Sequence, residues 1–361
     1  MEKIFFITLL VVAVIGIMIG FSTLGVSFDN AMPTISTNNT KSHGGFFASA
    51  FAAVETNWSS TVGQFLISFD NFKNVHQIVL DKESQIRVYD VDPNNRLNEV
   101  YISTDKGLFL SRDGGLTFNR FISSNNEIDK NTNVFKVLSA SNNGEDYFIS
   151  VFKNGKGYVY RTYDYFFNLE PLISFENEAL YDMYRNGNSL YLAVSNGQII
   201  HFNLKTKEAR VVNVFSSPVL KIQKSPKGGF YLLLKSGSVL KGNSLEDKFV
   251  KAKIPGGSWL FGGSPVGALH FDAVGNMYIL NSEGIYISYN NGDDFTLLKQ
   301  IPIQKKNIDA IGINNGKIYA VSGTRLFTSS NGGKDWKIDD LDNKFKITRI
   351  FFMGSKVIMS M

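Results

Sequence analysis

The stretch "GLFLSRDGGLTFNRF" at residues 107–121 decides the fold, because its strand–turn–strand pattern returns along the chain. Its turn carries Ser111, Asp113, Gly115 and Phe118. In a hairpin turn, an aspartate can accept hydrogen bonds from the turn's own amides, and a glycine supplies a positive φ angle. An aromatic side chain can cover such a turn. We therefore predict a self-capping hairpin in which these residues have a structural and not a catalytic role.

The same pattern recurs in "GIYISYNNGDDF" (284–295) and "RLFTSSNGGKDW" (325–336). The equivalent residues are Ser288, Asn290, Gly292 and Phe295 in the first copy, and Ser329, Asn331, Gly333 and Trp336 in the second. Weaker copies fill the rest of the chain, so that the marker Asp or Asn stands at positions 70, 113, 164, 203, 243, 290 and 331. A period of about 40 to 50 residues is the length of one four-stranded propeller blade.

On these residues the chain resembles the Asp-box, or bacterial neuraminidase repeat, β-propellers. That group includes sialidases, sortilin-type receptors, some endoglucanases and the photosystem II assembly-factor family. The resemblance covers residues 62–361 and implies an all-β, seven-bladed β-propeller. The first unit lacks its early part, and the chain ends on an unfinished unit, "ITRIFFMGSKVIMSM" (347–361). We expect these two pieces to share one blade, with the C-terminal strands paired to strands at 64–78.

The N-terminal segment predicts a membrane anchor. Residues 4–28, "IFFITLLVVAVIGIMIGFSTLGVSF", carry no charge and are long enough to cross a bilayer. We predict a signal-anchor or transmembrane helix within residues 1–28, with a cleaved signal peptide as the alternative. Lys3 favours a cytoplasmic N-terminus and an extracytoplasmic propeller, in the periplasm or on the cell surface.

Residues 29–61 predict a polar linker with a short amphipathic helix. The apolar face of that helix consists of Phe47, Phe51, Val54 and Trp58. The pattern leaves three roles open for it: packing on the propeller, lying on the membrane surface, or docking a partner.

A search for catalytic chemistry finds little. The absence of cysteine excludes disulfides, thiolate metal sites and cysteine nucleophiles. The four histidines have no metal-binding spacing and stand at His43, His76, His201 and His270. We interpret Asp90 and Asp92 as a pair of acids in a loop, and Asp293 and Asp294 as turn structure. The chain has no Arg-Ile-Pro, so the resemblance does not extend to sialidase activity. We expect no catalytic residue, metal or cofactor.

Two features suggest binding instead. Between His201 and Lys253 there are eleven Lys or Arg and only three Asp or Glu residues. This basic sector is either an ordinary solvated face or a docking face, for which Lys221, Lys224 and Lys227 are the candidate residues.

The second feature is the stretch "IPGGSWLFGGSPVG" at residues 254–267, which sets Trp259, Leu260 and Phe261 between pairs of glycines. It is interpreted either as a contact loop presented to a partner or as a plug against the neighbouring blade. "TYDYFF" (162–167) is a weaker candidate of the same kind.

These features favour a membrane-anchored, extracytoplasmic propeller that binds a protein and acts as a scaffold or assembly factor for a membrane or envelope complex. The alternative is a carbohydrate-active or glycan-binding propeller, which requires a carboxylate pair facing the channel. A purely structural envelope component is the third hypothesis. The predicted partners are therefore a protein, the membrane through the N-terminal helix, and in the alternative a glycan. Nucleic acid is not expected.

Overall fold

The computed structural model describes residues 26–29, 32–35, 60–61, 64–70, 72, 74–81, 86–94, 98–140, 146–164, 166–255, 266–298, 301–302, 308–341 and 347–360. Within these ranges all regular structure is β-strand. The strands assemble into seven four-stranded antiparallel blades, as predicted, and two of the sheets carry extra N-terminal strands at their edges.

From residue 64 onwards the strands follow one another around the ring in chain order. The N-terminal strands are β1 (Val26–Asp29), β2 (Met32–Ile35), β3 (Ser60–Thr61), β4 (Gln64–Ser68) and β5 (His76–Val79). Blade 2 consists of β6 (Ile86–Asn94), β7 (Glu99–Thr104), β8 (Gly107–Ser111) and β9 (Asn119–Phe121). Blade 3 consists of β10 (Asn133–Ser139), β11 (Tyr147–Lys153), β12 (Lys156–Thr162) and β13 (Glu170–Glu176). Blade 4 consists of β14 (Leu180–Asn186), β15 (Ser189–Val194), β16 (Gln198–Asn203) and β17 (Ala209–Val214). Outside the chain order, β1 and β2 extend blade 3 and β3 extends blade 2.

The second half of the chain continues the same order. Blade 5 consists of β18 (Val219–Lys224), β19 (Phe230–Leu234), β20 (Val239–Gly242) and β21 (Val250–Lys251). Blade 6 consists of β22 (Val266–Phe271), β23 (Met277–Asn281), β24 (Gly284–Ser288) and β25 (Thr296–Leu297). Blade 7 consists of β26 (Ala310–Asn314), β27 (Lys317–Ser322), β28 (Arg325–Ser329) and β29 (Lys337–Asp340). The last strands are β30 (Arg349–Met353) and β31 (Lys356–Ser360).

Blade 1 joins the two ends of the described chain. Its strand order is β30-β31-β4-β5, so its inner strands come from the C-terminal part and its outer strands from the N-terminal part. The register pairs Ser360 with Phe65 and Val357 with Ser68. Pairing of this kind closes the ring and leaves no open sheet edge between the first and last units. The predicted ring closure is therefore confirmed.

Apolar side chains between neighbouring blades form the core. Between blades 3 and 4, for example, Phe148 and Val159 pack in one cluster with Leu180 and Leu190. All four side chains are fully buried.

Five turns between the third and fourth strands of a blade share one hydrogen-bond pattern. In blade 2, Ser111 Oγ donates to Asp113 Oδ1 at 2.7 Å, and the amides of Gly115 and Thr117 donate to Ser111 Oγ and Asp113 Oδ1 at 2.7 and 3.0 Å. The same arrangement is present at the pairs Ser68 and Asp70, Thr162 and Asp164, Ser288 and Asn290, and Ser329 and Asn331.

The glycine of this turn also sets how closely neighbouring blades approach. Gly115 has a φ of +98°, and a Cβ built there would lie 2.3 Å from Ile67 Cδ1 of blade 1. Position 203 belongs to a different turn, in which Asn203 Oδ1 accepts hydrogen bonds from the amides of Lys205 and Thr206.

Most of the N-terminal predictions fall outside the described residues, including residues 4–25 of the predicted anchor and the helix face formed by Phe47, Phe51, Val54 and Trp58. In the part of the chain that the structure describes, no helix is long and apolar enough to cross a membrane. Val26–Phe28, where the predicted span ends, belong instead to β1, which pairs with β2. In turn, β2 lies parallel to the outer strand β13 of blade 3.

Candidate functional site in the central channel

The inner strands of the seven blades surround a central cavity of about 690 Å³. Each inner strand, with the residues just before it, contributes a tetrapeptide that begins and ends with an apolar residue. The tetrapeptides are VYDV (88–91), VFKV (134–137), LYDM (180–183), VLKI (219–222), VGAL (266–269), IDAI (308–311) and ITRI (347–350). Their apolar ends are buried or half-buried against neighbouring blades, and their two middle residues line the cavity.

The two middle residues form two layers around the axis. The first is called here the bulge layer: Tyr89, Phe135, Tyr181, Leu220, Gly267, Asp309 and Thr348. The second is called the charge layer: Asp90, Lys136, Asp182, Lys221, Ala268, Ala310 and Arg349.

A β-bulge explains how two successive residues reach the same cavity. Side chains alternate between the two faces of a regular strand. In blade 2 the register passes from Val88 opposite Thr104 to Asp90 opposite Ser103, so that Tyr89 is an extra residue. Bulges at the equivalent position occur in blades 3, 4, 5 and 6. A bulge re-aims side chains, which here brings both layers to the channel.

Aromatic rings make up one side of the bulge layer. The rings of Tyr89 and Phe135 are stacked with centroids 4.5 Å apart, and Phe135 meets Tyr181 edge-on at 5.3 Å. Tyr89 Oη donates to Asn133 Oδ1 at 2.9 Å, which fixes the first ring. Blades 2 to 4 therefore present a rigid aromatic wall to the cavity.

The charge layer carries ionic groups of alternating sign in blades 1 to 5. Lys136 Nζ lies 2.5 Å from Asp90 Oδ2 and 4.0 Å from Asp182 Oδ1, so this ammonium lies between two carboxylates. Lys221 Nζ lies 3.9 Å from Asp90 Oδ1. In blade order, the charges of Arg349, Asp90, Lys136, Asp182 and Lys221 read plus, minus, plus, minus, plus.

Backbone groups hold two members of this layer in place. Arg349 Nη1 donates to the carbonyl oxygen of Tyr89 at 2.7 Å. The amide of Ile222 donates to Asp182 Oδ2 at 2.7 Å. Each of these bonds crosses to another blade, so the layer links blade 1 to blade 2 and blade 4 to blade 5.

Burial and neighbouring charges move the pKa values of this layer in opposite directions. Burial alone would raise the pKa of Asp90, but Lys136, Lys221 and Arg349 together hold it below its ordinary value. Burial raises the pKa of Asp182 despite the attraction of Lys136 and Lys221. Burial would lower the pKa of Lys136, but Asp90 and Asp182 raise it above its ordinary value. The lysine is therefore a fixed cation at neutral pH.

In the charge layer, blades 6 and 7 present the small side chains of Ala268 and Ala310 instead, while Asp309 of blade 7 lies in the bulge layer. Gly267, Leu269 and Ile311 also line the cavity on this side. The charge layer is therefore ionic over five blades and uncharged over two.

His270 follows the charge layer on the inner strand of blade 6. Burial, together with the charge of Lys221, lowers the pKa of its imidazole to about 4. The side chain is therefore neutral at physiological pH. Beside it, Gln223 Nε2 donates to the carbonyl of Leu269 at 3.1 Å, while Gln223 Oε1 is buried without a hydrogen-bond partner among the described residues.

The structure corrects one interpretation from the sequence. Asp90 and Asp92 lie in the inner strand β6 and not in a loop. Pro93 and Asn94 gave the stretch the composition of a turn. Among the described residues, β3 pairs with β6 only at Ile86 and Arg87, so that Pro93 lies at an edge of the sheet, where proline is tolerated. Burial raises the pKa of Asp92.

The three candidate lysines do not share one surface. Lys221 lines the channel, whereas Lys224 and Lys227 are exposed. Lys224 Nζ lies 5.9 Å from the centre of the Phe230 ring, and Lys227 Nζ donates to the carbonyl of Tyr289 in blade 6 at 3.0 Å.

The basic sector is partly neutralised by acids of neighbouring blades. Lys207 Nζ lies 2.8 Å from Glu170 Oε1 of blade 3. Lys241 pairs with Asp293, which follows blade 6's third strand. Trp259, Leu260 and Phe261 of the glycine-flanked loop lie outside the described residues, so their role as a contact loop remains a prediction. In the weaker candidate stretch, Tyr163 and Phe167 are 52% and 72% exposed.

A cluster outside the channel has the residue types of a hydrolase. Ser189 Oγ lies 2.8 Å from His201 Nε2, and His201 Nδ1 lies 3.4 Å from Glu246 Oε1. Glu246 is also bound by Arg210 and accepts a hydrogen bond from Tyr191 at 3.0 Å. A carboxylate engaged in this way pins blade 4 to blade 5, and we interpret the cluster as a link between blades.

Within the described ranges, no group of three or more His, Asp or Glu side chains is arranged to hold a metal ion.

No protein-family model and no curated protein sequence matches the chain. Solved structures do resemble it. YCF48 bound to a D1 peptide has a TM-score of 0.57 at 14% identity, over 75% of this chain and 92% of that one. YCF48 from Cyanidioschyzon merolae has a TM-score of 0.57 at 15% identity, over 78% and 97% of the two chains.

A third solved structure resembles this chain over only part of its own length. The extracellular domain of the one-component system BT4673 from B. thetaiotaomicron has a TM-score of 0.54 at 15% identity, over 81% of this chain and 38% of that one. At such identities the similarity concerns the fold alone. The chain is, on this evidence, a seven-bladed β-propeller.

Proposed function

We propose that this chain is a membrane-anchored, extracytoplasmic propeller that binds a partner protein and acts as a scaffold or assembly factor for a membrane or envelope complex. The observation that carries the proposal is the channel, a cavity of about 690 Å³ with fixed charges on one side and apolar walls on the other. Ligand sites are typically mainly apolar cavities of about 300–1,000 Å³ with a few placed polar groups.

The pairing of the charged groups in the channel favours a binding function over a catalytic one. Acid–base catalysis needs a group that gives or takes a proton near the operating pH. Here Lys136 is held between Asp90 and Asp182, and Asp182 also accepts the amide of Ile222. These groups hold one another in position, which suits a rigid recognition surface.

Two further observations support a tethered protein-binding role. The uncharged residues 4–25, which precede β1, supply a segment long enough for an anchor. A propeller of similar fold, YCF48, has been solved with a D1 peptide bound, which makes a polypeptide a reasonable ligand class for this chain.

The proposal is tested by site-specific photo-crosslinking in native membranes. A photoreactive phenylalanine analogue at Phe351, which lines the cavity, is expected to label one segment of a membrane or envelope protein. The same analogue at the exposed Ile122, which follows the outer strand of blade 2, is the matched control and should not label that segment. Failure to label any protein from Phe351 contradicts the proposal.

Charge reversal at single lysines then separates the channel from the outer surface. If the partner enters the channel, Lys221→Glu weakens crosslinking from Phe351, while Lys224→Glu and Lys227→Glu leave it unchanged. The opposite pattern places the docking face on the exposed part of the basic sector.

One observation favours a glycan-active propeller as the second candidate. Asp90 and Asp182 face the same cavity with pKa values moved in opposite directions, as in many acid–base pairs. Against it, Lys136 lies between the two carboxylates, where a glycosidase needs space for the substrate. A glycan array and a polysaccharide hydrolysis screen test this candidate, and activity that is lost in Asp182→Asn would establish it.

A further inference from the structure

The alternation of charge around the channel is interrupted at blades 6 and 7. From blade 1 to blade 5 the charge layer alternates in sign, beginning with Arg349 and ending with Lys221. Blades 6 and 7 carry Ala268 and Ala310 instead of charged residues. The uncharged stretch therefore has a cation on each side, and a single negative charge between them would keep opposite signs adjacent.

Lys221 is the member of the layer best placed to receive another charge. Within the described residues its nearest carboxylate oxygen is Asp90 Oδ1 at 3.9 Å, which is beyond hydrogen-bonding distance. Asp90 already accepts a hydrogen bond from Lys136 through its other oxygen. The side chain of Lys221 is 40% exposed, whereas that of Lys136 is only 15% exposed.

At the other end, Arg349 is a half-buried cation whose Nη1 donates to the carbonyl oxygen of Tyr89 at 2.7 Å. Charges interact more strongly where they are partly removed from water, so an anion near Arg349 would interact with it more strongly than with a fully solvated arginine.

The space between these two cations is lined by small and apolar side chains together with His270, Asp309 and Thr348. The small and apolar residues are Gly267, Ala268, Ala310, Ile313 and Phe352. A side chain at residue 267 would be tolerated, since a Cβ built there meets only the carbonyl oxygen of Leu280, at 3.7 Å. The three small residues thus leave room that larger ones could fill.

The acid nearest in sequence, Asp309, lines the cavity in the bulge layer. Its Oδ2 accepts a hydrogen bond from the amide of Gly323 at 2.8 Å, in the turn between β27 and β28. This contact engages the carboxylate with its own blade.

We propose that the space over Ala268 and Ala310, between Lys221 and Arg349, binds a carboxylate carried on an apolar body. The carboxylate completes the alternation of charge, and the apolar body packs on blades 6, 7 and 1. Such a group is supplied either by an acidic residue of a polypeptide flanked by apolar residues or by a small free organic acid. The polypeptide source rests on the proposed scaffold function, whereas the binding space itself does not.

The experiment uses the purified full chain and two matched pairs of probes. One pair is 4-phenylbutanoate and its amide, and the other is acetyl-Phe-Glu-Leu-amide and its glutamine counterpart. Titration calorimetry is expected to show at least tenfold tighter binding of each acid, or of one of them, than of its neutral partner. The acid that binds more tightly, either the peptide or the free organic acid, identifies the source of the carboxylate.

Paired variants locate the site. Lys221→Gln should remove the preference for acids, while Lys224→Gln, on the same strand but exposed, should leave it unchanged. Ala268→Asp places a carboxylate in the space and should abolish acid binding, whereas the equally large Ala268→Asn should retain it at least in part. Gly267→Tyr fills the space without adding charge and should weaken acids and amides alike.

Equal binding of acids and amides overturns the proposal, as does unchanged acid binding in Ala268→Asp. Crosslinking from Phe351 distinguishes this outcome from failure of the scaffold function. If the partner is still labelled in Ala268→Asp, the scaffold function stands and this space is not its contact. If the wild-type chain labels no partner but binds the free acid with the expected preference, the space stands and the scaffold function fails.

Discussion

Blades 1 to 5 and blades 6 and 7 are built on the same tetrapeptide frame and yet give the channel two different sides. In both groups the apolar ends of the tetrapeptide pack against neighbouring blades. Only the middle residues differ, with Lys136 and Asp182 on one side and Ala268 and Ala310 on the other. The apolar ends therefore specify the propeller, and the middle residues specify what the channel can bind.

The difference also concerns rigidity. The charged side is tied together by ion pairs and aromatic stacking that cross from blade to blade, as between Lys136 and Asp90 or Tyr89 and Phe135. The side formed by blades 6 and 7 leaves open space instead, because its charge-layer residues are Ala268 and Ala310. A site with one fixed side and one open side can orient a ligand by charge while it accommodates different apolar parts.

The largest effect is expected from removing residues 350–361, which destroys the joint between the two sides at blade 1. This deletion removes β31 and most of β30, so that β4 loses its partner. We expect loss of the whole folding free energy, about 5–15 kcal/mol for a typical domain. Circular dichroism and gel filtration measure the outcome, with a chain lacking only Met361 as the control. A folded monomer after the deletion would refute the closure mechanism.

Removing the cation shared by Asp90 and Asp182 should have the next largest effect on stability. Lys136→Met leaves Asp90 and Asp182 buried without their shared cation, and such losses cost about 3–5 kcal/mol. Urea unfolding measures the change. Combining Lys136→Met with Asp90→Asn and Asp182→Asn should recover part of it, since the uncompensated charges are then gone. Lys224→Met is the exposed control and should change stability by less than about 0.5 kcal/mol.

His270 provides a pH test of the uncharged side. Its pKa is about 4 in the folded chain, against about 6.5 when unfolded, so between these values the unfolded chain binds more protons. Stability should therefore fall as the pH is lowered from 7 towards 4. We expect His270 to account for about 1–2 kcal/mol of this fall, because the ring lines the cavity and is only half-buried. His270→Asn should reduce the slope of unfolding free energy against pH. An unchanged slope would show that other groups cause it.

Substitutions in the aromatic wall should have the smallest effect on stability. Phe135→Leu removes two ring contacts, with Tyr89 and Tyr181, and should destabilise the chain by about 1 kcal/mol. Leu220→Phe extends the wall by one blade towards the open side and should be tolerated. Thermal unfolding of both variants measures the difference. A larger loss for Leu220→Phe than for Phe135→Leu would mean that the wall cannot extend beyond blade 4.

The sequence predicts the ring better than it predicts the channel. The turn residues repeat at a blade's length, which gives the number of blades and the pairing of the two chain ends before any coordinates. The channel residues carry no such signal, because residues as different as Tyr89 and Gly267, or Asp90 and Ala268, occupy equivalent positions. Aligning the units on their inner strands would have revealed the two layers, since each tetrapeptide keeps its apolar ends.

The β-bulge is the main reason that strand alternation in the sequence does not predict which residues line the channel. A strand pattern with strict alternation assigns Tyr89 and Asp90 to opposite faces. Only the extra residue brings both to the cavity. The surplus of Lys and Arg between His201 and Lys253 is visible in the sequence. That Lys221 lines the channel while Lys224 is exposed depends on how the side chains of one strand, β18, are oriented.

The shared blade also has a consequence for how the chain is made. Strand β4 waits for β31, a partner roughly 290 residues further along. At ordinary elongation rates of about 5–20 residues per second, that wait lasts about 15 to 60 s. Throughout it, β4 exposes an unpaired edge that can associate with other chains. This edge is therefore exposed during synthesis until the C-terminal strands emerge, and a product cut short near its end is expected to lack the pairing that closes the ring.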